Sequence, residues 1–173
     1  NRIDGGKFEL DGQTVVLNQN DGQNCLHGGA EGWQYQVYEA EQVDPQTLKL
    51  TMVDPDGHMG FPGTVTAVVT YKLTDDNAID ITYEGTTDKP TVLSMTNHAY
   101  FSLSGNHAAE GTDMVLYVNA DTFTPANENL IPTGEMRPVE GTPFDFRTPK
   151  AIGQDINQDY DQLVLGNGYD HNW

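Results

Sequence analysis

Basic side chains and cysteine are both scarce in this 173-residue sequence, and each shortage narrows the classes of function. Eight Lys and Arg stand against 26 Asp and Glu, which gives a formal net charge of −18 at pH 7. Nucleic acids and anionic membranes attract clustered positive charge, so the sequence argues against both as partners. Cys25 is the single cysteine and cannot form an internal disulfide, and no Asn-x-Ser/Thr glycosylation site occurs. Both features fit a reducing cytoplasm, which is the expected location.

Long apolar runs and metal-binding patterns are also missing. No apolar stretch approaches the ~18 residues of a membrane span. The five histidines include no pair four residues apart, and no second cysteine is present, so we expect no metal site. Asp54-Pro55-Asp56-Gly57 resembles the start of a calcium loop, but the further acidic ligands do not follow, which favours a β-turn. No Gly-rich loop that could cradle phosphate groups occurs either.

Short β-rich runs between Gly, Pro and Asp clusters are what the sequence does contain. Apolar and polar residues alternate over residues 64–73 and 78–84, and the turn-forming residues between them predict a β-hairpin. Further strands are predicted at 13–17, 34–40, 48–53, 91–103 and 114–119. Residues 123–148 are expected to form a loop broken by prolines, and 152–163 to hold one short helical turn. The pattern favours a single all-β domain over residues 1–173, an antiparallel β-sandwich or barrel.

Two histidines have surroundings that suit a binding site. His27 comes just before Gly28-Gly29, where the backbone can turn sharply and bring the imidazole close to a ligand; an ordinary loop histidine fits the residues equally well. On a strand, His98 shares a face with Thr96 and Tyr100, which suits a sugar because sugars need hydrogen bonds and an aromatic platform together. A structural histidine on a strand is the alternative there.

Seven short motifs, in order along the whole chain, resemble the signature blocks of the aldose 1-epimerase family. They are Asn1-Arg2-Ile3, Leu26-His27-Gly28-Gly29, Gly60-Phe61-Pro62-Gly63, Thr96-Asn97-His98-Ala99-Tyr100-Phe101-Ser102-Leu103, Ile131-Pro132-Thr133-Gly134, Gly141-Thr142-Pro143-Phe144-Asp145-Phe146 and Tyr169-Asp170-His171-Asn172. One block alone would be weak evidence, whereas seven at family-like spacing are specific.

The resemblance implies a fold, a reaction and a set of site residues. The fold is a large antiparallel β-sandwich of the galactose mutarotase type, and the reaction interconverts the α and β anomers of free aldoses such as galactose and glucose, with a sugar as the partner and no cofactor. His98 corresponds to the general acid that protonates the ring oxygen, and His27 to the histidine beside that oxygen. Arg2 and Asp170 correspond to the residues that hydrogen-bond sugar hydroxyls. We expect these four side chains to line one solvent-open cleft.

The sequence also departs from the family pattern. The family's general base is a glutamate far downstream of the last block, and several strands precede the first block, so the chain resembles an interior fragment and is expected to have little activity alone. If it were active, Asp145 and Glu128 would be the first carboxylates to test as base. Ser102 stands where Asn is commoner, and Trp33 and Trp173 where Phe is commoner, which are mild changes of shape. His58 matches no catalytic block, so its replacement is expected to have little effect.

Three functions remain open at this point. The first is an aldose 1-epimerase, an isomerase that works by acid–base opening of the sugar ring. The second is a mutarotase-like module that binds a sugar without turning it over, which the missing glutamate keeps possible. The third is a folding fragment without activity, whose exposed sheet edges would favour aggregation.

Overall fold

The structure, a computed structural model, describes residues 1–106 and 108–173, and His107 lies outside the described residues. The chain divides into two compact units, Asn1–Asn97 and His98–Trp173. Each unit is described by itself below. The expectation of a single domain stays a prediction.

The first unit is built from antiparallel strands. They are β1 (Arg2–Ile3), β2 (Lys7–Leu10), β3 (Gln13–Val16), β4 (Cys25–Leu26), β5 (Glu39–Asp44), β6 (Thr47–Asp54), β7 (Val65–Leu73) and β8 (Ile79–Thr87). β1 pairs with β4, and β2 with β3, while β5, β6, β7 and β8 form one sheet in that order. The predicted all-β, antiparallel character is therefore confirmed in this unit.

The predicted hairpin of β7 and β8 is confirmed residue by residue. The two strands pair antiparallel from Val65↔Thr87 to Leu73↔Ile79. On β7 the alternation has its expected consequence over the first five residues, because Val65, Ala67 and Val69 are buried while the residues between them are partly exposed. Toward the end of the strand the pattern fades, since Tyr71 is only partly buried and Leu73 is exposed. Asn77 closes the turn with a φ of 64°, a left-handed conformation that asparagine tolerates better than most residues.

Residues 34–40 form less strand than predicted. A 3₁₀ turn, Trp33–Tyr35, occupies the start of this segment, and β5 begins only at Glu39. Tyr35 N–H donates to Gly32 O at 2.9 Å, so the backbone is already used in a turn. A glycine just before the segment is the local reason that β propensity does not prevail there.

The strand predicted at 91–103 is wrong, since no strand is formed there. In the first unit, residues of this segment pack on the sheet instead of adding a ladder to it. A Cβ on Gly85 of β8 would lie 2.4 Å from Leu93 Cδ2, so the leucine fills the space that the glycine leaves. Asn97 Nδ2 donates to the Tyr71 hydroxyl at 3.0 Å. Side-chain packing has thus replaced the backbone pairing that the alternation suggested.

The second unit has short strands and one short helix. They are β9 (Val115–Leu116), β10 (Thr122–Phe123), β11 (Arg137–Pro138), β12 (Lys150–Ala151) and α1 (Asp161–Gly166). β9 pairs with β12 and β10 with β11, both antiparallel, so the predicted strand at 114–119 is confirmed only in part. The helical turn predicted within 152–163 is confirmed by a 3₁₀ turn at Ile152–Gln154 and by α1. Across the described residues, no helix is long and apolar enough to cross a membrane.

An aromatic core holds the second unit together. Phe123 and Phe144 are fully buried and stack with 4.2 Å between ring centroids. Val139 and Leu163 complete the buried cluster. Most of these residues come from the segment 123–148, which is irregular, as expected, yet supplies the core. Burying a large aromatic side chain contributes about 1.5–3 kcal/mol, so the buried side chains together offset part of the conformational entropy lost in ordering this segment.

Candidate functional site

Arg2 is the first predicted site residue, and Asp21 orients its guanidinium. The Arg2 Nε atom lies 2.5 Å from Asp21 Oδ2, and 17% of the Arg2 side chain is exposed. A charge-assisted hydrogen bond of this kind is short and stronger than a neutral one. Asp21 therefore fixes the direction of the Arg2 side chain, a role that the motifs alone do not reveal.

The turn that carries Asp21 is closed by two asparagines. Asn24 N–H donates to Asp21 O at 2.9 Å. The Asn20 side chain donates to Leu26 O at 3.0 Å and accepts from Leu26 N–H at 2.8 Å. Asparagine side chains readily replace backbone partners in turns. The high Asn and Asp content of residues 18–24 is the sequence signal that could have pointed to Asp21.

His27 lies directly after β4 in a backbone conformation that few non-glycine residues adopt. Its φ is 52°, in the left-handed region, where a side chain costs free energy. The His27 N–H donates to Asn1 O at 3.1 Å, and its ring Nδ1 lies 3.4 Å from Asn1 Oδ1. Arg2 pairs with Leu26, the residue before His27. The first unit therefore brings Arg2 and His27 together at one end of the β1–β4 pair.

Glycines make the sharp turn after His27 possible, as predicted. Gly28 and Gly29 have φ values of 85° and 97°. A Cβ on Gly32 would lie 2.2 Å from the His27 carbonyl oxygen, so only glycine fits there. Gly28 and Gly29 are evident from the sequence, and Gly32 is a further requirement of the same turn.

His98 begins the second unit and is exposed. Although the predicted strand is absent, the rings of His98 and Tyr100 lie side by side, with 5.5 Å between centroids and a tilt of 50°. The shared strand face that was expected for Thr96, His98 and Tyr100 is therefore not formed, but the two rings are adjacent without it. Tyr100 is 90% exposed, so its aromatic face is open beside the imidazole. This pairing suits a sugar, which presents both C–H groups and oxygens.

Asp170 is exposed, and its backbone is held by His171. The Asp170 N–H donates to His171 Nδ1 at 3.3 Å, while His171 Nε2 lies 3.1 Å from Gln162 Oε1. Since Nδ1 accepts, the ring proton is on Nε2 and the imidazole is neutral. Burial lowers the pKa of His171, which favours the same neutral form.

The aromatic core fixes the His171 ring in turn. Its centroid lies 4.8 Å from that of Phe144 and 5.9 Å from that of Phe123, edge-on in both cases. Gln162 Oε1, which accepts from His171, also accepts from Ala126 N–H at 2.7 Å. Asp170 is therefore attached to a rigid part of the second unit.

The end of α1 turns the chain back toward this core. Asn167 adopts a left-handed conformation with φ 51°, and Gly168 N–H donates to Leu163 O at 2.9 Å. This is a common way to end a helix. Tyr169 follows, and burial, with a smaller effect of Asp155, raises the pKa of Tyr169 to about 12. A phenol with this pKa stays protonated at neutral pH, so Tyr169 acts as a hydrogen-bond donor there.

Both tryptophans make hydrogen bonds that phenylalanine could not make. Trp33 Nε1 donates to Asp54 Oδ2 at 2.9 Å, and Trp173 Nε1 donates to Phe144 O at 2.9 Å. Because the resemblance places phenylalanine at these positions, the two tryptophans were expected to be mild changes of shape. They also satisfy a buried carboxylate and a buried carbonyl, which is a chemical difference.

Of the two carboxylates named as substitute bases, Asp145 is held in an ion pair. Arg147 Nη2 lies 2.8 Å from Asp145 Oδ2 and lowers the pKa of Asp145 to about 2. A base that weak is poorly matched to proton transfer at neutral pH. Glu128 is exposed.

The segment that resembles a calcium loop forms a turn, as predicted. His58 N–H donates to Pro55 O at 3.0 Å, and Gly57 has a φ of 84°. Asp56 accepts from Gly63 N–H at 2.6 Å and pairs with Lys89. Within residues 1–106 and 108–173, no group of three or more His, Cys, Asp or Glu side chains is arranged to hold a metal ion.

Arg, His and Asp side chains with oriented hydrogen-bonding groups are typical of sites that bind polar small molecules. Comparison with known proteins defines the class further. The family model described as aldose 1-epimerase matches residues 1–173. The chain is 40% identical to the aldose 1-epimerase of Escherichia coli K12 over 171 residues, which are 99% of this chain and 49% of that protein. It is 39% identical to the galactose mutarotase of Sus scrofa over 173 residues, 100% of this chain and 48% of that protein.

A solved structure, galactose 1-epimerase from Lactobacillus acidophilus NCFM, superposes with a TM-score of 0.90 at 35% identity, covering 98% of this chain and 51% of that one. The chain belongs to the aldose 1-epimerase family. The predicted antiparallel β-sandwich of the galactose mutarotase type is thereby confirmed as its fold class. The chain spans about half the length of the curated relatives it matches.

Proposed function

We propose that this protein interconverts the α and β anomers of free aldohexoses, with galactose and glucose as substrates. The observation that carries the proposal is the match of the whole chain, residues 1–173, to the aldose 1-epimerase family. The relatives named galactose mutarotase and galactose 1-epimerase support galactose as the first sugar to test.

The reaction needs one proton removed and one proton added. A base takes the proton of the C1 hydroxyl as the C1–O5 bond breaks, and an acid gives a proton to O5, which leaves the open-chain aldehyde. Rotation about the C1–C2 bond and closure on the other face of the aldehyde complete the exchange. We assign the acid to His98, since imidazole is the side chain most often used for acid–base catalysis at neutral pH.

The remaining site residues orient the sugar. In this proposal His27 lies beside the ring oxygen, while Arg2 and Asp170 hydrogen-bond the hydroxyls. Asp21 supports the role of Arg2, because it holds the guanidinium in one direction. His171 supports the role of Asp170, because it holds the Asp170 backbone against the core. The convergence of all four side chains on one cleft belongs to the proposal.

The general base is assigned by resemblance to a glutamate outside these 173 residues. The ion pair of Asp145 with Arg147 argues against Asp145 as its substitute. For the same reason a sugar-binding module without turnover is the second candidate for the 173-residue chain taken by itself.

Two further expectations accompany this function. We propose a cytoplasmic location, which the single cysteine supports, because Cys25 has no second cysteine to pair with and disulfides are rare in a reducing compartment. We also propose that neither nucleic acid nor a membrane surface is a partner, because the net charge of −18 repels both.

Polarimetry tests the proposed function. Freshly dissolved α-galactose is followed to its equilibrium rotation with the full-length protein and with buffer alone. We expect a rate that rises in proportion to protein concentration and exceeds the buffer rate. Saturable binding of galactose without any gain in rate would instead favour the binding module, and neither binding nor gain in rate would refute both.

A further inference from the structure

His58 is not a residue that the motifs single out, yet it lies at the centre of a compact polar cluster. Its Nδ1 lies 2.6 Å from Asp54 Oδ1, and its Nε2 lies 3.5 Å from Glu31 Oε2. The His58 side chain is 17% exposed, and that of Asp54 10%. The other oxygen of Asp54, Oδ2, accepts from Trp33 Nε1 at 2.9 Å. Both oxygens of this buried carboxylate therefore bind donors.

Asp54 is anchored in the sheet, so it can act as a fixed point. It is the last residue of β6 and pairs with Val65 of β7, which is buried. Trp33 and Glu31, in contrast, belong to the loop that follows His27. The cluster thus connects that loop to a rigid strand end through one carboxylate and one imidazole.

The residue after His58 contacts the same loop from another direction. A Cβ on Gly29 would lie 3.0 Å from Met59 Sδ, so Gly29 packs directly on Met59. Met59 O accepts from Asn18 N–H at 2.8 Å, and Asn18 Oδ1 accepts from Ala30 N–H at 2.9 Å. Met59 itself has a φ of 50°, a conformation that persists only where neighbours hold it.

We propose that Asp54 and His58 form a positioning pair that holds the His27–Gly32 loop, and with it the His27 imidazole, in its reactive place. The pair acts through Glu31 within the loop, through Trp33 directly after it, and through Met59, which packs on Gly29. The consequence for anomerisation rests on the proposed function, whereas the effect on the loop does not. The inference replaces the expectation, drawn from the motifs, that His58 is dispensable.

The chemistry of the pair suggests how it can be broken and restored. Leucine at position 58 removes the donor and leaves Asp54 Oδ1 buried without a partner, which is costly. Asparagine at position 58 places an amide N–H near the position of the His58 Nδ1–H, so it can donate to Asp54 again. Lys89→Gln is a matched control, because it breaks the exposed Lys89–Asp56 ion pair in the neighbouring turn without touching the loop.

The first measurement is amide hydrogen exchange in the full-length protein. In wild type, Ala30 N–H is bonded to Asn18 and Gly32 N–H to Gly29 O. We expect both amides to exchange at least about tenfold faster in His58→Leu, and at wild-type rates in His58→Asn and Lys89→Gln. The amides of β7 serve as the internal reference for global unfolding. Unchanged exchange of Ala30 and Gly32 in His58→Leu would overturn the inference, whatever the activity.

The second measurement is kcat/KM for galactose in the same variants and in His27→Asn. A misplaced site residue reduces rate steeply, so we expect His58→Leu to lose about tenfold and His58→Asn to recover most of it. If His27→Asn loses activity while His58→Leu, with its loop loosened, does not, the pair does not position His27 and the inference fails. If wild type shows no anomerisation, the proposed function fails, and the exchange rates alone then decide whether the pair holds the loop.

Discussion

At the scale of single residues, the candidate site depends on neighbours to which the resemblance assigns no role. Asp21 orients Arg2, and His171 holds the backbone of Asp170. Each neighbour lies in the same unit as the site residue that it supports, so each can be tested by its own substitution. Such supporting residues matter because a binding group that is held in one direction loses less entropy when a ligand arrives.

The Arg2–Asp21 pair leads to a prediction about sugar binding. Replacing Asp21 with Ala frees the guanidinium to adopt other directions, and we expect KM for galactose to rise about tenfold with a smaller change in kcat, as befits a lost binding contact. Steady-state kinetics on the full-length protein measures both. Glu41→Ala, which breaks an exposed pair with Lys49 in the same unit, should change neither. An unaltered KM in Asp21→Ala would mean that Asp21 does not serve the site.

His171 leads to a prediction about pH. Burial lowers its pKa below the ordinary value of 6.5, so the unfolded chain binds its proton more tightly than the folded chain does. The folded state is therefore at its full stability above pH 6.5, where His171 is neutral whether the chain is folded or unfolded. It loses stability as pH falls from 6.5 toward the lower pKa of the folded state. We expect the free energy of unfolding in urea to decline between pH 7.5 and 5.5, and to decline less in His171→Gln. Equal slopes in both proteins would show that His171 does not titrate in this way.

At the scale of elements, alternation predicted the sheet of the first unit well. Over β7 the apolar residues Val65, Ala67 and Val69 recur with a period of two, and the turn before β8 contains Asp and Asn. Local sequence is sufficient there because the hairpin is a local structure. The segment 91–103 has equally good propensity, but its side chains pack across Gly85 and Tyr71, a long-range contact that no local pattern records.

The aromatic core of the second unit could not be predicted for a related reason. Phe123 and Phe144 lie in a segment broken by prolines, where no period assigns a buried face. They become a core only because α1 and the residues after it, among them Tyr169 and Trp173, return to cover them. Tertiary contacts, rather than secondary structure, define this part of the fold.

A core substitution tests that assignment. Phe144→Ala removes a fully buried ring that touches most of the other aromatic side chains, and we expect it to lower the free energy of unfolding by about 3–5 kcal/mol. Val164→Ala, at a position on α1 that is 65% exposed, should change it by less than about 0.5 kcal/mol. Chemical denaturation with both variants gives the comparison. A small effect of Phe144→Ala would show that this core does not stabilise the unit.

At the scale of the whole molecule, the resemblance to a known family identified site residues that local sequence patterns could not. From residue patterns alone, His27 and His98 could each be a site residue or a structural histidine. Nothing in their spacing connects them with Arg2 or Asp170. The motifs named all four, and the structure adds Asp21, His171 and the two tryptophan donors, which depend on contacts between distant residues. The convergence of the four site residues stays a prediction.

The 173-residue polypeptide alone should be a poor catalyst. No carboxylate in it matches the family's base, and a lost general base costs about 10²–10⁴-fold in rate. Tyr100 and Leu103 are 90% and 87% exposed, so this polypeptide should also bind a hydrophobic dye and aggregate more readily than the full-length protein. Polarimetry and dye fluorescence on purified material of verified mass measure the two effects. A rate equal to that of a complete relative would require a base within these residues, with Glu128 the first to replace.

The most direct test of the central claim, that His98 donates the proton to the ring oxygen, is the anomerisation rate of His98→Asn in the full-length protein. The asparagine keeps a polar side chain at an exposed position, so the fold should be unaffected, as circular dichroism and the unfolding midpoint can verify. We expect kcat for α-galactose to fall by at least about 10²-fold, with galactose still bound. A variant that folds normally and anomerises galactose at the wild-type rate would remove His98 from the mechanism and contradict the account.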